Sequence, residues 1–247
     1  MAYKIEADMH IHTLRSETGY STLLENIISA KNRGLKGICI ADYGPKDRNT
    51  NIPKSILNFN DYVPSIVEGI TVYNGIEANI TNLHNGEIDL NNKRHDTFDW
   101  IISSYHPISE IDEMILDFNN TTKMYASVAS DKDTMVLGHI DRLDFDFGKV
   151  IDVCKKYGKI IELNEYSIEF PQNYARAIEI VELCKEKSVF ICVSSGAHIA
   201  TEVGNFTLST EILEKTGFPQ ELIINSSIQL IDEYIKVFMK DKEKRII

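Results

Sequence analysis

The residues of this chain best suited to chemistry are histidines and one glutamate that follow short apolar runs. Five of the seven histidines lie just past a predicted strand, as does Glu77: His10, His12, His106, His139 and His198. Residues i and i+2 of an extended segment point to the same side, so His10 and His12 can share one metal. Neutral imidazole suits zinc, iron, nickel or copper, and a carboxylate adds manganese to the choice. We therefore predict a metal site that combines the H-x-H pair with Glu77, His106 and His139.

The elements that must position these residues alternate between apolar runs and helix-period segments. The predicted strands are residues 3–8, 36–41, 70–76, 100–105, 135–138, 159–163, 188–193 and, as a short last one, 222–224. The predicted helices are residues 22–34, 61–68, a stretch within 110–130, 149–157, 174–187, 211–216 and 228–240, with a hairpin at 82–90. This alternation indicates a parallel α/β fold, and we predict one (β/α) barrel of seven or eight units over residues 1–247. The carboxyl ends of its strands would converge on one face.

The two remaining histidines, His84 and His95, lie in polar segments and are expected at the surface. The chain has 247 residues and a formal net charge of −11, which disfavours a nucleic-acid backbone as a direct partner. A small phosphorylated molecule remains compatible, because bound metal supplies local positive charge. No apolar run is long enough to span a membrane and no secretory segment is evident, so we expect a cytoplasmic protein.

Several motifs in this order resemble the PHP (polymerase and histidinol phosphatase) family, and within it the small bacterial phosphatases with three metals. The matching stretches run nearly from end to end: Asp8-Met9-His10-Ile11-His12-Thr13, Ala41-Asp42-Tyr43-Gly44-Pro45, Gly75-Ile76-Glu77-Ala78-Asn79, Gly86-Glu87-Ile88-Asp89, His106-Pro107, Gly138-His139, Ile161-Glu162-Leu163-Asn164 and Ser194-Ser195-Gly196-Ala197-His198. The resemblance implies a distorted, TIM-like barrel and hydrolysis of a phosphate ester.

The resemblance also implies roles for individual residues. His10 and His12 match the opening H-x-H, and Glu77 matches a carboxylate that bridges two metals. His106 and His139 complete the second metal site, and His198 belongs to the third. The implied reaction is attack by a metal-bridging hydroxide on a small phosphorylated substrate, with Glu77, His106 and His139 as the catalytic set and zinc, manganese or iron as cofactor.

Three positions depart from the pattern that the family shows. Thr18, Tyr43 and Gly196 stand where histidine, histidine and aspartate are usual. The third site keeps only His198 and the first site loses its aspartate, whereas the second is intact. Because a metal needs about four donors, we expect two metals, and a third only if Tyr43 or Glu17 supplies an oxygen.

Further polar residues lie beside the predicted ligands. Arg15, Arg142 and Tyr43 are candidates for binding the substrate, because a guanidinium can grip a phosphate with paired hydrogen bonds. Asp8, Asp42 and Asn164 are candidates for orienting the metal ligands.

Three alternatives to a phosphoesterase stay open at this stage. A catalytically impaired relative would bind metal or a phosphorylated ligand without turnover. An accessory module of a DNA polymerase would act only through a partner. A hydrolase of amides or lactones would use a similar metal set. The oligomeric state and the natural substrate are left open.

Overall fold

Seven parallel strands form the centre of the molecule. The structure is a computed structural model, and it describes residues 3–45, 52–83, 85–90, 97–107 and 116–245. Within these ranges the parallel strands follow the order β1-β2-β4-β6-β7-β8-β9: Ala7–Ile11, Gly37–Ile40, Ile70–Asn82, Trp100–Ser104, Val136–Gly138, Ile160–Asn164 and Ile191–Ser194. They curve into a nearly closed barrel with helices outside it, so the predicted α/β barrel is confirmed.

The seam between β1 and β9 is closed by a side chain rather than by a regular series of backbone hydrogen bonds. Asn225 is fully buried and donates from Nδ2 to the carbonyl oxygens of Ala7 (2.7 Å) and Val193 (2.6 Å). Its Oδ1 accepts a hydrogen bond from the Val193 backbone N–H at 3.1 Å. Further along the seam, the His12 backbone N–H donates to the carbonyl of Ala197. One amide side chain thus supplies the hydrogen bonds that a neighbouring strand would have made.

The strand that carries Glu77 is longer than predicted. β4 continues to Asn82 instead of ending at residue 76, and it turns back onto β5 (Glu87–Ile88) in the predicted hairpin. Glu77 therefore lies in the middle of a strand, next to Ile102 of β6 on one side and to the segment after β2 on the other. Its backbone N–H donates to Asp42, and its carbonyl accepts from Gly44.

Two further predictions of secondary structure were wrong. The helix expected at 61–68 is replaced by the short helices α2 (Lys54–Leu57) and α3 (Phe59–Tyr62), and by strand β3 (Ile66–Val67) antiparallel to β4. Proline disfavours the helical conformation of the preceding residue, so Pro64 accounts for the stop at Tyr62. The short last strand at 222–224 reduces to one bridge between Ile191 and Ile223, flanked by 3₁₀ turns.

The longer helices occur where the periodicity places them. They are α1 (Leu23–Asn32), α4 (Phe118–Ser130), α5 (Phe147–Tyr157), α7 (Pro171–Lys187), α8 (Thr207–Thr216) and α9 (Ile228–Arg245). The four-residue helix α6 (Glu165–Ile168), between α5 and α7, was not predicted. α1 begins with a capping box, in which the Thr22 side chain accepts from the Glu25 N–H and the Glu25 side chain accepts from the Thr22 N–H. None of the helices in the described ranges is long and apolar enough to cross a membrane.

Candidate metal centre

Glu77 and four histidines meet at the carboxyl end of the barrel. Its Oε2 lies 3.2 Å from Nε2 of His10 and 3.4 Å from Nε2 of His12. Its Oε1 lies 3.4 Å from Nε2 of His106 and 3.2 Å from Nε2 of His139. Each carboxylate oxygen therefore faces its own pair of imidazoles, which is the arrangement that a carboxylate bridging two metal ions requires.

The burial of Glu77 and the lack of hydrogen bonds to its oxygens favour a bound cation at this carboxylate. The side chain is 0% exposed, and neither of its oxygens has a hydrogen-bond partner among the described residues. Burial raises the pKa of this carboxyl, but the facing imidazoles of His10, His106 and His139 lower it well below its usual value. A buried carboxylate without hydrogen bonds costs several kcal/mol unless a positive charge compensates it. The donor set fits divalent metals that accept both nitrogen and oxygen ligands.

Three partners fix the histidines in the tautomer that leaves Nε2 unprotonated. The Nδ1–H of His10 donates to Oε1 of Glu162 at 2.6 Å, and that of His106 donates to Oδ1 of Asn79 at 2.9 Å. The Nδ1–H of His12 donates to the Ser16 hydroxyl at 3.0 Å, since this hydroxyl gives its own proton to Asp42. All three Nε2 lone pairs therefore face Glu77, as metal binding requires.

Glu162 is the main residue of this centre that the sequence reasoning missed. It is fully buried, and its Oε1 also accepts from the Ser194 hydroxyl (2.5 Å) and from Asn164 Nδ2 (3.1 Å). Its carboxylate could have been noticed as a lone acid in the apolar strand β8, two residues before Asn164 and hence on the same side. Without metal, burial lowers the pKa of His10, but Glu162 and Glu77 outweigh it and raise that pKa to about 10. A metal that binds Nε2 would therefore displace a proton from that nitrogen, while Nδ1–H stays on Glu162.

His139 reaches the centre through an unusual backbone conformation. It directly follows β7 and lies in the left-handed region, with φ 45° and ψ 36°. A residue other than glycine in this region costs about 1–3 kcal/mol, so its surroundings must hold it. The backbone N–H of His139 donates to Glu162 Oε2 at 3.2 Å. Glu162 therefore positions two histidines, one through its ring and one through its backbone.

Asp42 and Arg15 form a pair outside the metal cluster. Arg15 contacts Asp42 Oδ2 from Nη2 at 2.8 Å and from Nε at 2.9 Å, and its Nη1 donates to the Ser55 carbonyl. Arg15 thus lines a separate apolar pocket beside Phe59 rather than the cavity above the histidines. Asp42 accepts from Ser16 and acts on His12 through it.

The other two residues predicted to orient ligands have different positions. Asn164 donates to Glu162, and its Oδ1 caps α6 by accepting from the Ser167 N–H at 3.0 Å. Asp8 is fully buried and accepts from the backbone N–H groups of Ser195 (3.0 Å) and Gly204 (2.8 Å). Asp8 therefore holds the loop after β9 in place.

Side chains fill the corner of the site that contains Thr18, Tyr43 and His198, where the resemblance would have placed a third metal. The Tyr43 ring lies 4.4 Å from that of His12 and 5.2 Å from that of His106. His198 stacks on His12 at 4.5 Å, and its Nδ1 is hydrogen-bonded to the Thr18 hydroxyl at 3.0 Å. Burial, and then the charge of Glu77, raise the pKa of Tyr43 to about 12, which favours the neutral phenol. Glu17 is exposed, and His84 and His95 lie outside the described residues.

A pocket of about 580 Å³ opens directly above the histidines. Its floor contains His10, His12, His139 and His198, and its walls include Tyr43 and Arg142. The chain has 37 acidic and 26 basic residues, yet no residue lining the described part of this pocket is acidic. The pocket therefore favours an anion, and Arg142 rather than Arg15 is placed to meet it.

The sequence is similar to a known family and to known proteins. Residues 8–173 match the family profile described as PHP domain. A probable phosphatase of Caldicellulosiruptor saccharolyticus is 32% identical over 246 residues, covering 97% of this chain and 99% of the relative. A probable phosphatase of Clostridium acetobutylicum is 31% identical over 233 residues, covering 93% of both chains.

Solved structures show the same fold. Histidinol phosphate phosphatase of Lactococcus lactis, complexed with zinc, L-histidinol and phosphate, has a TM-score of 0.66 at 18% identity, covering 87% of this chain and 94% of that chain. A chain in the cryo-EM structure of archaeal ribonuclease P with mature tRNA has a TM-score of 0.59 at 14% identity, covering 92% and 90%. At these identities the two structures support the fold alone.

Proposed function

The chain belongs to the PHP domain family, and on that premise we propose that it is a metal-dependent phosphoesterase acting on a small phosphorylated substrate. One observation carries the proposal: the two buried oxygens of Glu77 face two histidines each. Residues 1–247 act as one barrel domain in this proposal. The natural metal is zinc, manganese or iron.

Two overlapping sets of residues would hold two metal ions. The first set is His10, His12 and Glu77, and the second is Glu77, His106 and His139. Within each set the ligand atoms lie within 4.8 Å of one another. When bound, the metals would make water a stronger nucleophile at neutral pH and neutralise charge on the phosphoryl group.

The chain's own residues would bind and orient the ester. Arg142 lines the pocket and can donate paired hydrogen bonds to phosphoryl oxygens. The neutral phenol of Tyr43 and the Thr18–His198 pair add hydrogen-bonding groups at the corner where a third ion would otherwise be needed. Glu162, Ser16 and Asn79 keep the imidazoles in the binding tautomer while the reaction proceeds.

The test combines elemental analysis with an assay on esters that do and do not contain a ring. The freshly purified protein should contain about two metal ions per chain and hydrolyse phenyl phosphate or glycerol phosphate. A chelator and the substitution Glu77→Gln should abolish hydrolysis, because the carboxylate would no longer bridge the two sites. Glu211→Gln, in an exposed ion pair with Lys215, is the control and should keep both properties. Absence of metal after reconstitution with zinc, manganese and iron would refute the proposal.

The changes at Thr18, Tyr43 and Gly196 favour one other function. A relative that has lost turnover would still hold metal through Glu77 and bind a phosphorylated ligand in the same pocket. Two metals per chain, phosphate binding by calorimetry and no hydrolysis across a broad panel of esters would identify this function.

A further inference from the structure

Three large aromatic side chains surround the mouth of the pocket above the histidines. Tyr20, Tyr166 and Phe170 line it and are 75%, 44% and 49% exposed. None of the three takes part in the proposed metal chemistry. Aromatic side chains of this size normally bury most of their surface, and exposed clusters of them mark places where a ligand or partner binds.

The three side chains are attached to fixed backbone. The Tyr20 N–H donates to the His198 carbonyl at 2.7 Å, and the Tyr166 N–H donates to the Ser195 carbonyl at 3.2 Å. Phe170 directly precedes Pro171, the first residue of α7. The aromatic wall, as we call Tyr20, Tyr166 and Phe170, is therefore presented by ordered segments next to site residues.

A row of rings joins the metal cluster to the aromatic wall. His12 and His198 stack at 4.5 Å with an interplanar angle of 10°, and Tyr166 contacts His198 edge-on at 5.4 Å. The buried residues that line the pocket include His10, His12 and His139, the half-buried Arg142 also lines it, and the aromatic side chains are its exposed lining. A molecule that filled it would thus have an anionic group at one end and a flat, polarisable group at the other.

The volume of the pocket also favours a substrate larger than a phosphate group. Its volume of about 580 Å³ lies in the range of sites for small organic molecules, and a phosphate group alone would occupy a small part of it. A short alkyl phosphate would leave the aromatic wall in water. A planar ring of the substrate would cover it and gain stacking energy.

We propose that the aromatic wall selects phosphate monoesters whose leaving group carries a planar aromatic ring, with Tyr166 and Phe170 as the specificity-determining residues. This inference rests on the proposed function, because it assigns the substrate class of the same site. The phosphate meets the metal cluster and Arg142, and the ring of the leaving group stacks at the mouth. Both a nucleoside and a simple aryl alcohol supply such a ring.

The test measures the preference for aromatic esters. The ratio of kcat/KM for an aromatic ester to that for glycerol phosphate is determined with phenyl phosphate and with adenosine 5′-monophosphate. Tyr166→Leu and Phe170→Leu keep apolar bulk and remove the ring face. Because stacking on an aromatic side chain typically contributes a factor of about 5 to 100, each variant should lower the ratio within that range. Phe118→Leu is the matched control, since Phe118 is 50% exposed but lies on α4 away from the pocket, and it should leave the ratio unchanged.

The outcomes distinguish a nucleoside from a simple aryl group as the source of the ring. They also distinguish a failure of this inference from a failure of the proposed function. A preference for adenosine monophosphate alone would identify a nucleoside, and a preference for phenyl phosphate alone would identify a smaller aryl group. A wild-type ratio near one, or an equal fall for all esters in the variants, would overturn the inference while leaving the phosphoesterase intact. If the wild type hydrolyses no ester, calorimetry on the metal-loaded protein replaces the assay. The aromatic ester should then still bind more tightly than glycerol phosphate, and a lack of preference would overturn the inference.

Discussion

Replacing Glu162 by glutamine should weaken metal binding although Glu162 is not one of the proposed ligands. The Glu162 carboxylate accepts hydrogen bonds from His10 Nδ1, the Ser194 hydroxyl, Asn164 Nδ2 and the His139 backbone N–H. A carboxylate can accept all four, because both of its oxygens are acceptors only. A glutamine side chain has one oxygen, and its amino group donates.

The size of the effect follows from this mismatch. If the glutamine oxygen takes the place of Oε1, it still accepts from His10, but its amino group faces the donating N–H of His139, 3.2 Å from the present Oε2. A buried donor left without an acceptor costs about 1–3 kcal/mol. The charge that strengthens His10 as a ligand is lost as well, and such changes behind metal-binding histidines typically cost 10–100-fold in affinity. We expect a loss near the upper end, about 100-fold or about 2.7 kcal/mol.

The assay is a competition titration with a chromophoric zinc chelator. Glu165→Gln is the matched control, because Glu165 is also buried and accepts from the backbone N–H groups of Leu208 and Ser209, but contacts no histidine of the cluster. The control should lower the free energy of unfolding and leave zinc affinity unchanged. Wild-type affinity in Glu162→Gln, or an equal loss in Glu165→Gln, would refute the positioning role.

Three further results are expected. Asn225→Ala should lower the free energy of unfolding in urea by about 3–5 kcal/mol, because three buried backbone groups at the seam lose their partner; a loss below about 1 kcal/mol would contradict the closure. Ion pairs with Lys36 and then Lys4 lower the pKa of Glu6 from 4.5 to about 2, so its stabilisation is present above pH 4.5 and lost as the pH falls towards 2. In Glu6→Gln the melting temperature should fall less steeply between pH 4.5 and 2 than in the wild type. An unchanged slope would contradict the role of these ion pairs. Chelation should lower the melting temperature by about 5–10 °C if metal is at about 100 times its Kd, and no shift would argue against a tightly held ion.

The part of the site that could be predicted from the sequence depends on local geometry. His10 and His12 are two residues apart on an extended segment, so their shared side follows from strand periodicity and is confirmed by their common distance to Glu77 Oε2. The barrel follows from the alternation of strands and helices. The end of β4 did not follow, because its continuation past residue 76 depends on parallel pairing with β6 up to Asn79 and on antiparallel pairing with β5 beyond it.

The residues that hold the histidines could not be found in the same way. Ser16 contacts His12 from four residues along the chain. Asn79 and Glu162 contact His106 and His10 from other strands, and no sequence spacing links the members of these two pairs. The two arginines show the same limitation. Arg15 and Arg142 each follow a predicted ligand closely, yet Arg142 lines the pocket and Arg15 pairs with Asp42. The difference depends on where a carboxylate lies in three dimensions.

The three departures from the family pattern form one packed corner rather than three separate losses. Tyr43 fills space against His12, and Thr18 hydrogen-bonds His198. Gly196 has φ +63°, and a Cβ at that position would lie 2.7 Å from Asn164 Oδ1. An aspartate there would therefore displace Asn164, which donates to Glu162, the partner of His10. Since a third-site carboxylate at 196 would disturb the support of the first site, the glycine is compatible with the proposed two-metal centre, in which this corner would contact substrate without a third ion.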